Sequence, residues 1–354
     1  MPDRRTFFRQ SAGAVAGVLF AGRGPAAAPL RGQTAGSRRQ ITIGGRRVKT
    51  VDVHCHCIVP GALELMGQPT PTTNAALIMG VDRLRQMDDQ GIDVEAISIN
   101  PTWYGVDREV AKKVVSFQNA RLAEFCAAHA DRFVGFATVA LQHPDLAAEQ
   151  LDEGVRKMGL RGGSIGASVN GEELSSPKLD PFWAKAEELG VPLFMHPQGA
   201  PELRARLQGN GVLTNVIGNP LDTTIALSHL IFEGTLDRFP GLTICAAHGG
   251  GYLPSYVDRS DHGCITFPEQ CTKTLKKHPS EYLRQLYIDS LVFTGEALRH
   301  LIAQCGVSQI MMGTDYPFPW TTTSVDHILN TPGLSDGEKA AILGDNAVRL
   351  LKIS

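Results

Sequence analysis

The sequence predicts an α/β fold, a single-domain (β/α)8 barrel of the TIM type with a C-terminal helix. Three observations carry that expectation. Eight short β-rich runs alternate with longer helical patterns, polar residues stand at the ends of those runs, and no low-complexity linker or charge block interrupts the chain from residue 48 onward. The β-rich runs fall at 51–54, 95–99, 134–138, 162–165, 192–196, 243–247, 287–289 and 310–313. Helical patterns fill 81–90, 109–129, 145–158, 181–189, 222–237 and 295–305. A doubly wound open sheet would need a Gly-rich turn after its first strand, but that strand is followed by Cys55-His56-Cys57 with no GxGxxG. Residues 41–47 read as a small hairpin around Gly44-Gly45. The stretch 335–351 reads as a helix capped by Ser335 with Glu338 three residues on, laid across the barrel's outside.

Of 354 residues, 43% are hydrophobic and 20% charged, which is ordinary globular usage and excludes collagenous, mucin-like and disordered classes. Lys plus Arg total 34 against 36 Asp plus Glu, so no bulk positive field is available to hold nucleic acid. The seven cysteines lack paired CxxC spacing, which speaks against a zinc ribbon or a disulfide framework. Cys264 and Cys271, expected in a loop after the sixth strand, could pair in an oxidising compartment. Cys55 and Cys57 read as small core residues facing the helical layer.

Two segments follow. Residues 1–30 read as a twin-arginine-type export signal and linker: Arg4-Arg5 and Phe7 precede a small apolar run at 12–21 that is too short to span a bilayer. Residues 41–354 form the barrel. The implied destination is periplasmic or extracellular; the alternative is a basic N-terminus on a cytoplasmic enzyme, favoured by Pro29 directly after Ala26-Ala27-Ala28.

Enzyme barrels carry their reacting groups where strands end at the C-terminal face. His54 and His56 close the first strand as His-x-His and, with a period of two, point to one side. His196 ends the fifth strand, His248 ends the sixth, and Asp315 follows the eighth. Three imidazoles and a carboxylate make an N3O site suited to Zn2+, with Mn2+ and Fe2+ as alternatives, and leave a position for water or substrate. Asp52 is expected to point away as a structural or orienting group. The fourth strand offers no Lys for a carbamylated bridge, which favours one metal over two. Trp103, Tyr104 and Trp320 follow the second and eighth strands and either line an aryl pocket or simply pack. His229 and His300 in helices, and His262 and His278 in loops, read as solvated or packed.

An ordered set of segments adds to this: Val51-Asp-Val-His-Cys-His56, MDDQGIDVEAI at 87–97, Met195-His196-Pro197, Asn219-Pro220, Phe239-Pro240-Gly241-Leu242, His248-Gly249-Gly250-Gly251, Tyr287-Ile-Asp289, Gly313-Thr-Asp-Tyr-Pro-Phe318 and Gly344-Asp-Asn-Ala347. Together they resemble the amidohydrolase-related metal-dependent enzymes, in the branch of the aminocarboxymuconate-semialdehyde, resorcylate and carboxyvanillate decarboxylases. The resemblance spans most of 48–354. It implies one metal held by His54, His56, His196 and Asp315, with His248 as acid/base beside it. It also implies a homodimer in which Arg259 reaches into the neighbouring subunit's site to hold a substrate carboxylate, and Phe318 as an aromatic wall. The semialdehyde branch uses a further arginine after the first strand, but no Lys or Arg occurs between Cys57 and Val81, and that loop carries Pro69 and Pro71. A different, single carboxylic acid is therefore expected.

Three functions compete on these residues. The first is a metal-dependent, non-oxidative decarboxylase of an aromatic or unsaturated acid, with His248 or Asp315 delivering the proton. The second is a metal-dependent hydrolase or lactonase in which His248 activates water. A non-catalytic exported binding protein, the third, would leave the full ligand set and its acid/base unexplained.

Overall fold

The computed structural model describes residues 38–70, 75–209 and 211–354; residues 1–30, read above as an export signal and linker, and Pro71 lie outside them. Eight strands follow one another in parallel: β1 (Val51–His56), β2 (Val94–Ser98), β3 (Phe133–Gly135 with Ala137–Thr138), β4 (Gly163–Gly166), β5 (Pro192–His196), β6 (Thr243–Ala246), β7 (Tyr287–Asp289) and β8 (Ile310–Met311). Strand β3 changes neighbours at its break: the Phe136 N–H bonds Ile97 O at 2.9 Å, and the Ala137 N–H bonds Gly162 O at 2.8 Å. The ring closes between β8 and β1 through Val53 N–H to Met312 O (2.9 Å), Asp315 N–H to His54 O (2.8 Å) and His56 N–H to Tyr316 O (2.7 Å). A closed ring leaves no unpaired edge, and the last two bonds tie the segment bearing Asp315 directly to the His-x-His strand.

Helices α1 (Arg83–Gln90), α2 (Arg108–Ala128), α3 (Pro144–Arg156), α4 (Asp180–Leu189), α5 (Asn219–Phe232), α6 (Leu253–Thr266), α7 (Gly295–Cys305) and α8 (Ser324–Asn330) each follow the strand of the same number. Alternation along the strands sorts the core in two. Cys55, Ile97, Leu193, Met195, Ile244 and Ile288 pack with the helices, while Ala96, Phe136, Phe194, Cys245 and Met311 fill the barrel interior. Strand β1 departs from strict alternation, because its pairing with β2 shifts between Asp52 and Cys55. A strict period of two would put Asp52 beside His54. With the irregularity, Val51 and Val53 lie inside, and Asp52 turns outward to Cys55 and Glu95.

Two elements differ from expectation. The segment after β6 is helical rather than a loop: α6 carries His262 and Cys264, a short helix Pro268–Cys271 follows, and a disulfide joins Cys264 to Cys271 with Cα atoms 5.5 Å apart. Pro254 in the first turn was a readable start signal, masked by the Gly249-Gly250-Gly251 run before it. The C-terminal helix has the expected Ser335/Glu338 capping box, but it runs as Asp336–Ala340, a π segment Ala341–Asp345, and Asn346–Leu350. Nor does it merely cross the outside. Ala347 and Leu351 join the interior cluster, and the Asn346 side chain donates to Val307 O and Ile310 O at 2.8 Å each, holding the entrance of β8. At Gly344 a Cβ would stand 1.7 Å from Lys49 O, so the π segment rests on the backbone that feeds β1.

That contact gives a stability prediction. Gly344→Ala should cost about 1–3 kcal/mol by overpacking, whereas Gly337→Ala, exposed with nothing within 4 Å, should shift stability by less than about 1 kcal/mol. Denaturant unfolding of the two variants checks the contrast.

Candidate metal centre and active site

Four donors from three strand ends meet inside the barrel mouth. His54 and His56 on β1, His196 at the end of β5 and Asp315 after β8 place one ligand atom each within 4.8 Å of one another, all four residues buried. The His54 and His56 Nε2 atoms are 3.0 Å apart and stand 3.2 and 3.0 Å from Asp315 Oδ1. Phe194 lies under His54 at 5.0 Å between ring centroids and stacks on Phe136 at 5.7 Å, closing the floor with apolar surface.

The tautomers follow from the outer partners. His54 Nδ1 is 2.6 Å from Asp289 Oδ2, and a carboxylate can only accept. His196 Nδ1 is 2.9 Å from the Pro197 carbonyl, which likewise can only accept. His56 Nδ1 is 3.0 Å from Ser98 Oγ, whose own proton goes to Cys55 O at 3.1 Å. Each ring thus carries its proton on Nδ1 and turns an Nε2 lone pair to the centre. His196 Nε2 and Asp315 Oδ1 are buried without a hydrogen-bond donor. Four lone pairs converging in a dry site require a cation, and the residues fit one divalent metal.

Positive charge is favoured at the centre, and without a metal ion a proton would supply it on His54. Burial opposes a charge on His54, yet the Asp315 and Asp289 carboxylates overcome it and raise its pKa to about 10. Burial lowers His56 to about 4, and burial with the adjoining imidazoles lowers His196 well below the usual range. Burial also works against ionised Asp315, but the charge of His54 and the imidazoles of His248 and His56 beside it hold it well below the carboxylate range.

His248 stands apart from the four. Its ring centroid is 5.0 Å from that of His54 and 5.1 Å from that of His196, and its Nε2 is 3.5 Å from Asp315 Oδ2, the oxygen turned away from the β1 histidines. Its side chain is 14% exposed, against 0% for His54, so it faces the open side. Phe318 packs with its centroid 6.0 Å from that of His56. Arg259 is not in this cluster: it is exposed on α6, where it lines a surface cleft with His262 and Phe267. Trp103 and Tyr104 are packed rather than pocket-lining, with indole Nε1 on Val139 O at 2.8 Å and the phenol oxygen accepting the Gly166 N–H at 3.2 Å. Trp320 is exposed beside Phe293. His229 pairs with Glu233 at 2.6 Å on the surface.

Residue-type reasoning overlooked Asp289. Fully buried, it accepts from His54 Nδ1 (2.6 Å), the His248 N–H (2.9 Å), the Gly249 N–H (2.8 Å) and the Leu291 N–H (3.0 Å). Those bonds keep its pKa low against burial. The available signal was a carboxylate closing the otherwise apolar run 287–289. Arg83 was also unforeseen: it pairs with Glu95 at 2.9 Å and donates to His56 O at 2.8 Å, bracing β1 from outside. Asp52 does the same between β1 and β8, accepting from the His54 N–H, the Thr314 N–H and the Thr314 hydroxyl at 3.0, 3.1 and 2.6 Å.

A closed (β/α)8 barrel holding three histidines and an aspartate at its C-terminal mouth defines a metal-dependent barrel enzyme. The amidohydrolase family model matches residues 51–353, and the chain belongs to that family. It is 30% identical over 293 residues to the gamma-resorcylate decarboxylase of Rhodococcus jostii, covering 77% of this chain and 87% of the relative. It is 29% identical over 277 residues to the 2-amino-3-carboxymuconate-6-semialdehyde decarboxylase of Dictyostelium discoideum, covering 76% and 75%. Among solved structures it resembles the dihydroxybenzoic acid decarboxylase of Polaromonas sp. JS666, which holds manganese and the inhibitor 2-nitroresorcinol. That match has a TM-score of 0.76 at 25% identity and covers 86% of this chain and 97% of the other.

Asp289→Asn should weaken metal affinity about 10–100-fold, because a carboxamide can present its NH2 to His54 Nδ1 and release the tautomer. Titration of metal against a competing chelator measures the loss, and an unchanged affinity would remove Asp289 from the site.

Proposed function

We propose that the protein is a metal-dependent, non-oxidative decarboxylase of an aromatic or unsaturated carboxylic acid. The observation that carries the reading is the set of four inward lone pairs with one unshared histidine, His248, on the open side. The decarboxylase relatives favour carbon dioxide release over hydrolysis. His54, His56, His196 and Asp315 would hold the divalent ion, which would supply a positive charge to stabilise and orient the substrate's carboxylate. The donor chemistry favours zinc; manganese, present in the Polaromonas relative, is the alternative that metal analysis of the purified protein distinguishes.

The His248–Asp315 pair supplies the proton. His248 Nε2 and Asp315 Oδ2 lie 3.5 Å apart on the open side, and the proton is delivered from that edge to the substrate. As the carbon bearing the carboxylate takes that proton, its bond to the carboxyl carbon breaks. The bonding pair stays with the ring or chain, and carbon dioxide departs. Phe318 forms one wall for a flat substrate.

The chain acts as a homodimer in which Arg259 completes the partner's site with a planar fork for a carboxylate. Its support is the surface around it: Tyr256, Ile265 and Phe267 on or next to α6 are 67%, 65% and 61% exposed, an apolar patch that association would cover. Export is supported by the Cys264–Cys271 disulfide, which suits an oxidising compartment, and the twin-arginine route by Arg4-Arg5 ahead of the apolar run at 12–21.

Carbon dioxide release from a panel of hydroxybenzoates, run beside lactone and ester hydrolysis, tests the function; hydrolysis without release would reverse it. His248→Asn should lower turnover ~10²-fold or more with metal content intact. Metal loss in that variant would make His248 a ligand instead. Mixed with Arg259→Ala, it should regain partial activity, since one site of each heterodimer receives both native residues. Absence of recovery despite demonstrated subunit exchange refutes the shared site.

A further inference from the structure

Two neutral side chains at the mouth take no part in holding the metal ligands. Asn100 continues the inner face of β2: Ala96 lies in the interior, Ser98 meets His56, and Ile97 and Ile99 pack outward. The next inward position is Asn100. Its Oδ1 is shut from solvent with no hydrogen-bond donor, and buried acceptors in native proteins are met by water or by a ligand. Gln198 stands two residues past His196. Its backbone N–H is fixed by Asp222 Oδ2 at 2.6 Å, and its Nε2 extends toward Pro101 O at 3.4 Å, the residue after Asn100. Gly166 makes room for that crossing, since a Cβ there would lie 3.2 Å from Gln198 Cδ and Nε2. The His56 and His196 centroids are 4.6 Å apart, and the contact of Gln198 Nε2 with Pro101 O sets the Gln198 carboxamide beside the backbone next to Asn100.

We propose that Asn100 and Gln198 form a neutral hydrogen-bonding subsite. It reads a hydroxyl on the substrate acid and rejects a second carboxylate at that position. Asn100 Oδ1 accepts the hydroxyl proton, and the Gln198 carboxamide completes the contact. Neither group carries a charge to offset the desolvation of a carboxylate, and the loop after β1 has no Lys or Arg between Cys57 and Val81 to supply one. The inference rests on the decarboxylase reading and narrows its substrate class to hydroxylated aryl monoacids.

Three unreactive probes differ only at the position concerned: 2-nitrophenol, 2-nitroresorcinol and 3-hydroxy-2-nitrobenzoate, in which hydrogen, hydroxyl and carboxylate follow one another and the nitro group replaces the carboxylate that would be lost. Calorimetry on the metal-loaded protein should show 2-nitroresorcinol bound about tenfold more tightly than 2-nitrophenol, the worth of one added hydrogen bond, and the carboxylate probe bound least. Asn100→Leu and Gln198→Leu should each reduce the hydroxyl preference to under about twofold, leaving metal content and 2-nitrophenol affinity near the native level. Gln198→Arg should improve binding of 3-hydroxy-2-nitrobenzoate about tenfold, a gain that misfolding cannot produce. A hydroxyl preference that survives both leucine variants, or no gain in Gln198→Arg, overturns the subsite alone. If none of the probes binds the native protein, the decarboxylase reading and the subsite fall together.

Discussion

A carboxylate taken out of water is neutralised or expelled unless donors surround it. Asp289 meets that condition with four N–H groups, and one of its oxygens serves two of them: Oδ2 receives both the His54 ring and the His248 backbone. The first bond fixes which nitrogen of His54 faces the centre, and the second fixes where the chain turns to carry His248. One buried side chain at the end of β7 therefore sets both the tautomer of His54 and the position of His248. Neither could be adjusted without the other, which makes Asp289 the constraint on which the mouth is built.

The backbone shows what that constraint holds in place. His248 and Asp315 adopt φ of 56° and 61°, a region that side-chain-bearing residues seldom occupy. The His248 conformation is retained by its own N–H and that of Gly249 on Asp289, and the Asp315 conformation by its N–H on His54 O. Close packing adds to this at Gly313, where a Cβ would stand 2.9 Å from that of His54 and 3.0 Å from that of Asp289. The Gly313-Thr-Asp315 segment is thus a steric requirement: only a glycine lets β8 pass between the two residues that organise the site.

What could be read from the sequence follows from how local each determinant is. The His-x-His pair and the strand-end positions of His196 and Asp315 were legible because strand period and barrel closure bring together residues more than a hundred positions apart. Asp52 turned outward as expected, but through a pairing irregularity in β1 that no local pattern announces. The Cys264–Cys271 bridge needed a distance, and that distance depends on α6, whose glycine-rich approach resembles a loop. The π segment at 341–345 was hidden for a related reason. It exists to bring Gly344 against Lys49 O, a contact across almost the whole chain.

The residues of the mouth fall into two groups by what holds them. Three of the ligand atoms, on His54, His56 and His196, belong to strand residues, and their orientation is secured by groups buried beneath or beside them. Phe318, Gln198 and Asn100 lie past the strand ends, and Arg259 lies on a surface helix; none of them is fixed by the pairing register. Substitution at these outer positions leaves the lone pairs convergent, because the bonds of Asp289, Ser98 and Pro197 do not pass through them. The bonds that orient the histidines are therefore independent of the residues proposed to meet the substrate. The chain is similar both to a relative named for a muconate semialdehyde and to one named for a resorcylate, and the proposed substrate contacts are side chains that the barrel presents but does not constrain.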